Sequence, residues 1–326
     1  MFEFLINKLR AHPRKIVFTE GTDPRILEAA ARLLSGNFLT PVLVGNVEEV
    51  MAAAEAAGFN VRGAEIIDPA AFEDMDKMVE EMVALRKGKM TADECRATLL
   101  QANYFGTMLV KMGYADALLG GATYSTADTV RPALQLVKTK PGNKIVSSCF
   151  IMVRPSATGS NEVLAMGDCA INIKPNEDEL VEIAVESAAT AKIFGIDPKV
   201  AFLSYSTKGS GKGEDVDKVR NACAKAKQLA PELALDGEMQ FDAAVSPSVG
   251  QLKFPGSPVA GHANTFIFPD INAGNIGYKI AQRLGNFDAY GPILQGLNAP
   301  INDLSRGCNA LEVYSMAIIT AALCED

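Results

Sequence analysis

The distribution of apolar residues along the chain predicts an alternation of buried strands and amphipathic helices. Short apolar runs, typical of strands that are buried on both faces, occupy residues 15–20, 41–44, 116–120, 145–154, 199–204 and 265–268. Helical patterns lie between them, and two have recognisable starts, at Asp23 before Pro24 and at Asn46 three residues before Glu49. Such alternation predicts β-α-β units and an α/β fold with mainly parallel sheets flanked by helices.

The length of the chain and two polar segments predict two domains. The chain has 326 residues, and a typical domain has about 150. Lysine, proline and glycine gather at residues 138–144, and prolines and glycines gather again at 291–300. Two boundaries of this kind predict a discontinuous first domain, to which the C-terminal segment returns after the second domain.

Composition and charge narrow the classes of partner. Hydrophobic residues make up 48% of the chain and charged residues 21%, as in an ordinary folded protein. The formal net charge is −8 and the lysines and arginines are scattered, which argues against binding to nucleic acid or to an anionic membrane. Anionic substrates would therefore depend on a few local arginines.

Cysteine and histidine usage predicts a cytoplasmic protein without a histidine-based site. The six cysteines include no CxxC pair and the N-terminal residues lack the pattern of a signal peptide, so reduced thiols are expected. No apolar run approaches the roughly 18 residues that a membrane span needs. Two histidines argue against a multi-histidine metal site and against a His-based catalytic triad.

A glycine-rich strand end forms the first candidate anion site. Ser125, Thr129 and Arg131 follow it on the chain, in the sequence GGATYSTADTVRP. Free backbone N–H groups and the positive end of a helix favour an anion there, and a guanidinium adds a planar fork of donors suited to phosphate. The simpler interpretation is that Ser125 caps a helix, with Asp128 as its N3 residue.

The segment SYSTKGSGKG, directly after a predicted strand, is a second candidate anion loop. Its glycines, among them Gly209, let backbone amides curl around a phosphate, and Thr207 and Lys208 add a hydroxyl and a charge. It is not a Walker A loop, because the first glycine and the final hydroxyl of that motif are missing, and it does not satisfy GxGxxG either. A plain surface loop is the alternative.

A third cluster follows the turn PDINAGN. Tyr278, Lys279 and Arg283 lie on the predicted helix after this turn, and the two cations, four residues apart, share a face. They are candidates for binding an anionic substrate. A solvated basic face is the alternative interpretation.

The densest polar turn lies near the C-terminus, in the sequence PINDLSRGCNALE. Asn302, Ser305 and Arg306 precede an apolar helix there, and a polar turn after a strand end usually has a function. Two further residues have simpler interpretations. Glu312 can close a capping box at the start of the helix, and Cys308 can be a small buried apolar residue.

The chain resembles the phosphate acetyltransferases (phosphotransacetylases) in five stretches, namely PINDLSRGCNA, STADTVRPALQLVKT, LSYSTKGS, GSPVAGHANTFIFPDINAGNIGYKIAQRL and AYGPILQGL. The similarity extends from about residue 15 to the C-terminus, with the motifs in order. It implies a two-lobed isocitrate/isopropylmalate dehydrogenase-like fold, with residues 1–141 and 296–326 in one lobe and 142–295 in the other. It also implies an active site in the cleft between the lobes and a homodimer contact on the second lobe.

The resemblance further implies the reaction and its residues. Members interconvert acetyl-CoA and phosphate with acetyl phosphate and CoA, without a cofactor or catalytic metal. The family's serine–arginine pair falls on Ser305 and Arg306, and its two other functional arginines fall on Arg131 and Arg86. The family's catalytic aspartate, seven residues after the serine, is replaced by Glu312.

These assignments lead to a mechanistic hypothesis. Glu312 accepts the proton of the CoA thiol, Ser305 and Arg306 stabilise the developing oxyanion, and Arg131 with the 125–129 segment holds the phosphoryl oxygens. Thiol and phosphate can react directly in a ternary complex, and transfer through Cys308 is the competing route. The alternative functions are a butyryl-transferring relative, a metal-dependent decarboxylating dehydrogenase of related fold and a non-catalytic regulatory domain.

Overall fold

The chain forms two compact units in the computed structural model, which describes residues 2–156, 159 and 161–324. The first unit consists of Met1–Pro141 with Leu297–Asp326, and the second unit consists of Gly142–Gly296. No helix among the described residues is long and apolar enough to cross a membrane.

The elements are numbered in chain order. The strands are β1 Arg14–Phe18, β2 Leu39–Val44, β3 Glu65–Ile67, β4 Ala117–Gly120, β5 Ser147–Pro155, β6 Asn161–Gly167, β7 Lys199–Leu203, β8 Ala234–Met239, β9 Thr265–Ile267, β10 Asp288–Gln295 and β11 Ile301–Asp303. The α-helices are α1 Phe2–Ala11, α2 Pro24–Gly36, α3 Val47–Ala57, α4 Met75–Arg86, α5 Ala92–Leu99, α6 Ala102–Lys111, α7 Thr126–Pro132, α8 Glu177–Ile193, α9 Glu214–Leu229, α10 Phe241–Val245, α11 Pro247–Lys253, α12 Ile271–Leu284 and α13 Ala310–Ala322. A 3₁₀-helix occupies Pro69–Ala71, and a π-helical segment, Ala133–Val137, continues α7.

The first unit is built on a parallel sheet with the strand order β11-β4-β1-β2-β3. The apolar residues Ile16, Val17 and Phe18 of β1 are fully buried in its centre. Helix α13, which is buried along most of its length, packs against α2 and β4. Because parallel strands end at the same edge of a sheet, the turns after β1, β4 and β11 lie side by side.

The second unit contains a mixed sheet with the strand order β10-β5-β6-β9-β7-β8. Strand β7 pairs in parallel with β8 and β9, and β6 pairs in parallel with β9. Strand β5 is antiparallel to both β6 and β10. Since β5 ends at Pro155 and β6 begins at Asn161, the connection is too short for a crossover helix, and the chain must return antiparallel.

Local sequence signals locate many of these elements. Strands β1, β2, β4, β5, β7 and β9 lie at the six predicted apolar runs, within two residues of each predicted bound. Asp23 caps α2 by accepting the N–H of Arg25, and Pro24 is the first helical residue. Asn46 caps α3 by accepting the N–H groups of two residues of its first turn. These helix starts are confirmed.

Candidate active site

Ser305 and Arg306 lie in a tight exposed turn that joins β11 to α13 in the first unit. The Leu304 N–H donates to the Gly120 carbonyl at 2.7 Å, so the chain stays beside β4 just before the turn. Within the turn, the Cys308 N–H donates to the Ser305 carbonyl at 2.9 Å, and the preceding amide, of Gly307, donates to Ser305 Oγ at 3.2 Å. The turn thereby presents a hydroxyl and a guanidinium to the outside of the unit.

Asp303 joins this turn to helix α7. Its two carboxylate oxygens accept the hydroxyl protons of Thr126, at 2.5 Å, and Thr129, at 2.6 Å. Burial raises the pKa of the Asp303 carboxyl, whereas the two threonine hydrogen bonds lower it by a smaller amount. Gly121 permits the close approach, because it has a φ of +98° and a Cβ there would lie 2.2 Å from Asp303 Oδ1.

Arg131 lies in the last turn of α7, the helix that Asp303 joins to the β11–α13 turn. Its side chain is 60% exposed, and its Nη1 lies 3.9 Å from Asp128 Oδ1. Asp128 in turn accepts the Ser125 hydroxyl proton at 2.7 Å, which lowers the pKa of its carboxyl. The guanidinium of Arg131 is therefore only loosely held.

The predicted anion-binding groups of this segment are largely engaged within the fold. The Ser125 hydroxyl donates to the Asp128 carboxylate, which also accepts the Ser125 N–H as the N3 residue of the predicted cap, and the buried Thr129 hydroxyl donates to Asp303. The Gly121 N–H donates to Glu20 Oε1 at 3.0 Å. Binding of a substrate by Ser125 and Thr129 stays a prediction.

Glu20 is a residue of this edge that the sequence analysis missed. It lies two residues after the end of β1, and its Oε1 accepts the N–H groups of Gly121, at 3.0 Å, and Thr123, at 3.2 Å. Burial raises the pKa of this carboxyl, although the hydrogen bonds lower it. The only signal in the sequence is a carboxylate at the end of a buried strand.

Glu312 forms a capping box at the start of α13. Its N–H donates to Asn309 Oδ1 at 3.0 Å, and the Asn309 N–H donates to Glu312 Oε2 at 2.9 Å. The side chain is exposed. The cap uses one carboxylate oxygen, Oε2, so Oε1 can still meet a proton donor from solution.

Two other residues of the C-terminal cluster are buried. The side chain of Asn302 is completely buried, and its Nδ2 donates to Thr320 Oγ1 at 2.9 Å, which joins β11 to α13. A role in substrate binding stays a prediction for Asn302. Cys308 is 6% exposed, and burial raises the pKa of its thiol. A reactive cysteine needs an accessible thiolate, so the environment disfavours an acyl carrier here.

Arg86, at the C-terminal end of α4, lines a basic cavity of about 290 Å³ in the first unit. Lys87, Lys89 and Lys138 line the same cavity. The Nε of Arg86 is a buried donor that has no hydrogen-bond partner among the described residues. A buried N–H without an acceptor is costly, and an anion in this cavity would supply one.

The glycine-rich loop of the second unit also binds a carboxylate of its own chain. Glu238, which is buried at the end of β8, accepts the Gly209 N–H at 2.7 Å and the Ser206 hydroxyl at 3.2 Å on its Oε1. Thr207 is buried, and its hydroxyl oxygen accepts the Gln240 N–H at 2.9 Å. Glu238 thus takes the place of the predicted external anion at the Gly209 amide.

Lys208, a cation of the same loop, lies against an aromatic ring. Lys208 Nζ is 5.1 Å from the centroid of Phe254. The backbone of Lys208 is left-handed, with a φ of 50°. Substrate binding by Thr207, Lys208 and Gly209 stays a prediction.

The third predicted cluster lies on α12 in the second unit. Tyr278 stacks on Phe150 with ring centroids 4.0 Å apart, and burial raises the pKa of its hydroxyl. Lys279 and Arg283 are exposed on the same helix. Neither packs into the core of the unit, so both cations are available to a ligand or to another chain.

Metal binding was not expected from the sequence. In the part of the chain that the structure describes, no group of three or more His, Cys, Asp or Glu residues could hold a metal ion. Independence from a metal or cofactor stays a prediction.

Comparison with known proteins identifies the family. The family model described as phosphate acetyl/butaryl transferase matches residues 1–321. A phosphate acetyltransferase of Bacillus subtilis is 54% identical over 322 residues, which cover 99% of this chain and 98% of the relative. A crystal structure of a Streptococcus pyogenes phosphotransacetylase is 56% identical and superposes with a TM-score of 0.92 over 98% of this chain and 97% of its own.

A more distant neighbour bears on the fold alone. It is a Salmonella typhimurium protein provisionally assigned as a 4-hydroxythreonine-4-phosphate dehydrogenase, with a TM-score of 0.53 and 14% identity over 95% of this chain and 99% of its own. Together with the phosphotransacetylase structure, it confirms the predicted dehydrogenase-like α/β fold. The sequence match over nearly the full length goes further, and the chain belongs to the phosphate acetyl/butaryl transferase family.

Proposed function

We propose that this protein is a phosphate acetyltransferase, which interconverts acetyl-CoA and phosphate with acetyl phosphate and CoA. The observation that carries the proposal is identity of about half the residues, from end to end, with proteins that bear this name. The alternatives are not favoured, because proteins that are 49–56% identical to this chain are named phosphate acetyltransferase or phosphotransacetylase.

The reaction requires one bond to form and one to break at the acetyl carbon. The CoA sulfur attacks the carbonyl of acetyl phosphate, the C–S bond forms, and phosphate leaves with the electrons of the C–O bond. Arg306 and the Ser305 hydroxyl donate to the oxyanion that develops on the carbonyl oxygen. The thiol proton passes to Glu312, through the oxygen that the helix cap does not use.

The timing of the proton transfer follows from ordinary acidities. A free glutamate carboxyl and a free thiol differ by about four pKa units, or roughly 5–6 kcal/mol. Complete removal of the thiol proton before attack would therefore be slow. The proton moves as the C–S bond forms, which needs the carboxylate close to the sulfur and needs no acyl-enzyme on Cys308.

The two remaining arginines, Arg131 and Arg86, bind the anionic groups of the substrates. Arg131, which is exposed and loosely held on α7, binds the phosphoryl group that the acetyl carbon leaves or joins. Arg86 and the three lysines of its cavity bind a phosphate of CoA, which supplies the acceptor that Arg86 Nε lacks. A chain with a net charge of −8 needs such local cations for anionic substrates.

A thiol-release assay tests the proposed function. Purified protein is mixed with acetyl-CoA, with and without phosphate and with and without EDTA, and released CoA is measured. We expect release that depends on phosphate and is insensitive to EDTA, and slower release from butyryl-CoA. Absence of phosphate-dependent release would refute the proposal, and loss of activity in EDTA would refute its independence from metal.

Replacing Arg131 tests the assignment of the phosphate site. We expect Arg131→Gln to raise the KM for phosphate and for acetyl phosphate by about tenfold or more, because a charge-assisted hydrogen bond contributes about 1.5–3 kcal/mol. The KM for CoA should stay within about threefold. Arg32→Gln is the control, since Arg32 is half-exposed and pairs with Glu28 on α2. Unchanged affinity for both phosphate compounds would contradict the assignment.

We propose a homodimer that forms through an apolar face of α12. Ile276, Ile280 and Leu284, spaced four residues apart, are 58%, 54% and 80% exposed. A stripe of large aliphatic side chains on one helix face normally packs against another surface. Within the second unit, α12 turns only Gly274 fully inward, so its outer face is available to a second copy.

Replacing Ile280 tests this interface. Ile280→Glu places a charge in the middle of the stripe, and we expect the protein to become monomeric in light scattering coupled to size-exclusion chromatography. Leu229→Glu is the control, because Leu229 is 68% exposed on α9 and lies on another helix. Dimers that persist in Ile280→Glu, or a wild-type monomer, would contradict the proposed interface.

We place the reaction in a reducing compartment, as predicted from the sequence for the cytoplasm. All six cysteines lie among the described residues, and all are free and buried. Reduced thiols of this kind are typical of cytoplasmic proteins.

A further inference from the structure

Arg25, in the first turn of α2, contacts two other turns of the first unit. Its Nη1 donates to the carbonyl oxygens of Arg306, at 2.9 Å, and Cys308, at 3.2 Å. Its Nη2 donates to the carbonyl of Ala122, which follows β4, at 2.9 Å. One guanidinium therefore joins the turns after β1, β4 and β11 at the edge of the parallel sheet.

A carboxylate fixes the direction of this guanidinium. Asp23 accepts Arg25 Nε on Oδ1 at 2.9 Å and Arg25 Nη2 on Oδ2 at 2.8 Å. Asp23 is itself held by the fold, because its Oδ1 also accepts the Arg25 N–H as the cap of α2. A bidentate pair of this kind fixes both the plane and the rotation of the fork. The remaining N–H groups of the guanidinium are therefore oriented toward the neighbouring carbonyls.

The turn that carries Ser305 and Arg306 has few other contacts that would fix it. Its internal hydrogen bonds run from the amides of Gly307 and Cys308 back to Ser305. The residues from Ser305 to Gly307 are exposed. The carbonyls of Arg306 and Cys308 take no part in these internal hydrogen bonds and instead accept Arg25 Nη1. The peptide that sets the direction of the Arg306 side chain is thus held from outside the turn.

We propose that Arg25 is a positioning residue for acetyl transfer: it holds the β11–α13 turn against the β4–α7 turn, so that Ser305 and Arg306 keep their places relative to each other and to Arg131. The inference rests on the proposed function. A displacement of about 1 Å at a reacting centre can cost about a hundredfold in rate. A turn held by two carbonyl contacts to one side chain is open to such a displacement when that side chain is removed.

Lysine cannot replace Arg25 in this role. The guanidinium offers a planar fork that engages Asp23 on one edge and three carbonyls on the others. An ammonium group has three donors around one nitrogen and cannot reach the same acceptors together. Arg25→Lys keeps the positive charge and disturbs the fold less than Arg25→Ala does. It should nevertheless lose most of the contacts that hold the β11–α13 turn.

The first measurement separates rate from binding. We expect Arg25→Ala and Arg25→Lys to lower kcat about 10- to 100-fold in both directions, while the KM values for CoA and phosphate stay within about threefold. Asn46→Ala is the control for stability. It removes the cap of α3, and it should lower the thermal midpoint at nearly unchanged kcat. If the fall in kcat were only a consequence of lower stability, Asn46→Ala would show it too.

The second measurement reports on the turn without relying on activity. Cys308 is nearly buried, and its Sγ lies 3.7 Å from Arg25 Nη1. We expect iodoacetamide to alkylate Cys308 about tenfold faster in Arg25→Ala than in the wild-type protein, because the thiol becomes accessible when the turn is released. Peptide mass spectrometry identifies the labelled residue. Asn46→Ala should label at the wild-type rate.

Each outcome decides the inference. Faster alkylation together with the selective loss of kcat supports it. Alkylation at the wild-type rate in both Arg25 variants would overturn it, whatever their activity, because the turn would not depend on Arg25. Faster alkylation with an unchanged kcat would overturn the positioning role. A wild-type protein without phosphate-dependent CoA release would refute the proposed function instead, and alkylation would still test the hold of Arg25 on the turn.

Discussion

Arg306→Ala is expected to lower kcat for acetyl transfer by about 10²- to 10³-fold, equivalent to about 2.7–4 kcal/mol of transition-state stabilisation. The guanidinium is exposed at the edge of the first unit, beside a serine hydroxyl, where it can meet the carbonyl oxygen as negative charge develops. The ground-state carbonyl carries little charge, so KM values should change much less than kcat. Initial rates with varied CoA and acetyl phosphate measure both parameters.

A second variant, Arg306→Lys, separates the contribution of the positive charge from that of the planar guanidinium. Arg306→Lys keeps a positive charge but loses the planar fork, and we expect it to recover only part of the lost rate. Arg220→Ala is the control, because Arg220 is an exposed arginine that pairs with Asp217 in the second unit. Arg306→Ala with more than half of the wild-type kcat would remove Arg306 from the chemical step.

Glu312→Gln is expected to lower kcat by about a hundredfold or more with little loss of stability. Glutamine serves as well as glutamate at the N3 position of a capping box, so the contacts with Asn309 persist. Glutamine cannot accept the thiol proton. The thermal midpoint should therefore stay within about 2 °C of the wild-type value while the rate falls. Calorimetry and initial rates on the same preparation provide the two numbers.

Asn309→Ala is expected to have the opposite result, a lower thermal midpoint with a nearly unchanged kcat. It removes the cap that Asn309 provides to the Glu312 N–H but leaves the carboxylate in place. The loss of a cap costs about 1 kcal/mol, which corresponds to a fall of roughly 2–4 °C in the thermal midpoint, and kcat should stay within about threefold. If Glu312→Gln kept its kcat, the carboxylate would have only the structural role.

Local signals in the sequence identified the strands and helix starts that depend on neighbouring residues. Runs of apolar residues marked β1 and β4, and Asp23 with Pro24 marked the start of α2. Strands β6 and β8 were not predicted, because NEVLAMG and ALDGEM mix polar and apolar residues without a clear period. Their pairing depends on strands distant in the chain, which no local pattern encodes.

The candidate anion loops show what a single sequence cannot reveal. Glycine-rich turns after β4 and β7 were predicted to bind an external anion, but Glu20 and Glu238 accept their amides, across 101 and 29 residues of chain. The same limit hid Arg25, whose contact with Arg306 spans 281 residues and uses a backbone carbonyl. A carboxylate or a carbonyl that faces a loop from another strand leaves no motif in the sequence.

The arginine assignments, in contrast, came from a family pattern whose function needs those side chains. Arg131 lies on α7, and Ser305 and Arg306 lie on the β11–α13 turn. These two segments follow neighbouring strands and are joined through Asp303. Their arrangement depends on the parallel order β11-β4, which a pattern of strands and helices alone does not determine. The family resemblance supplied the residues, and the sheet topology makes the segments that carry them neighbours.

The most direct test of this account is a crystal structure of the protein with CoA and phosphate bound. We expect the CoA sulfur and a phosphate oxygen to approach within about 3.5 Å of each other, with Arg306 and the Ser305 hydroxyl facing the gap and Arg131 in contact with the phosphate. A sulfur bound at another surface, with the Ser305–Arg306 turn unoccupied, would contradict it.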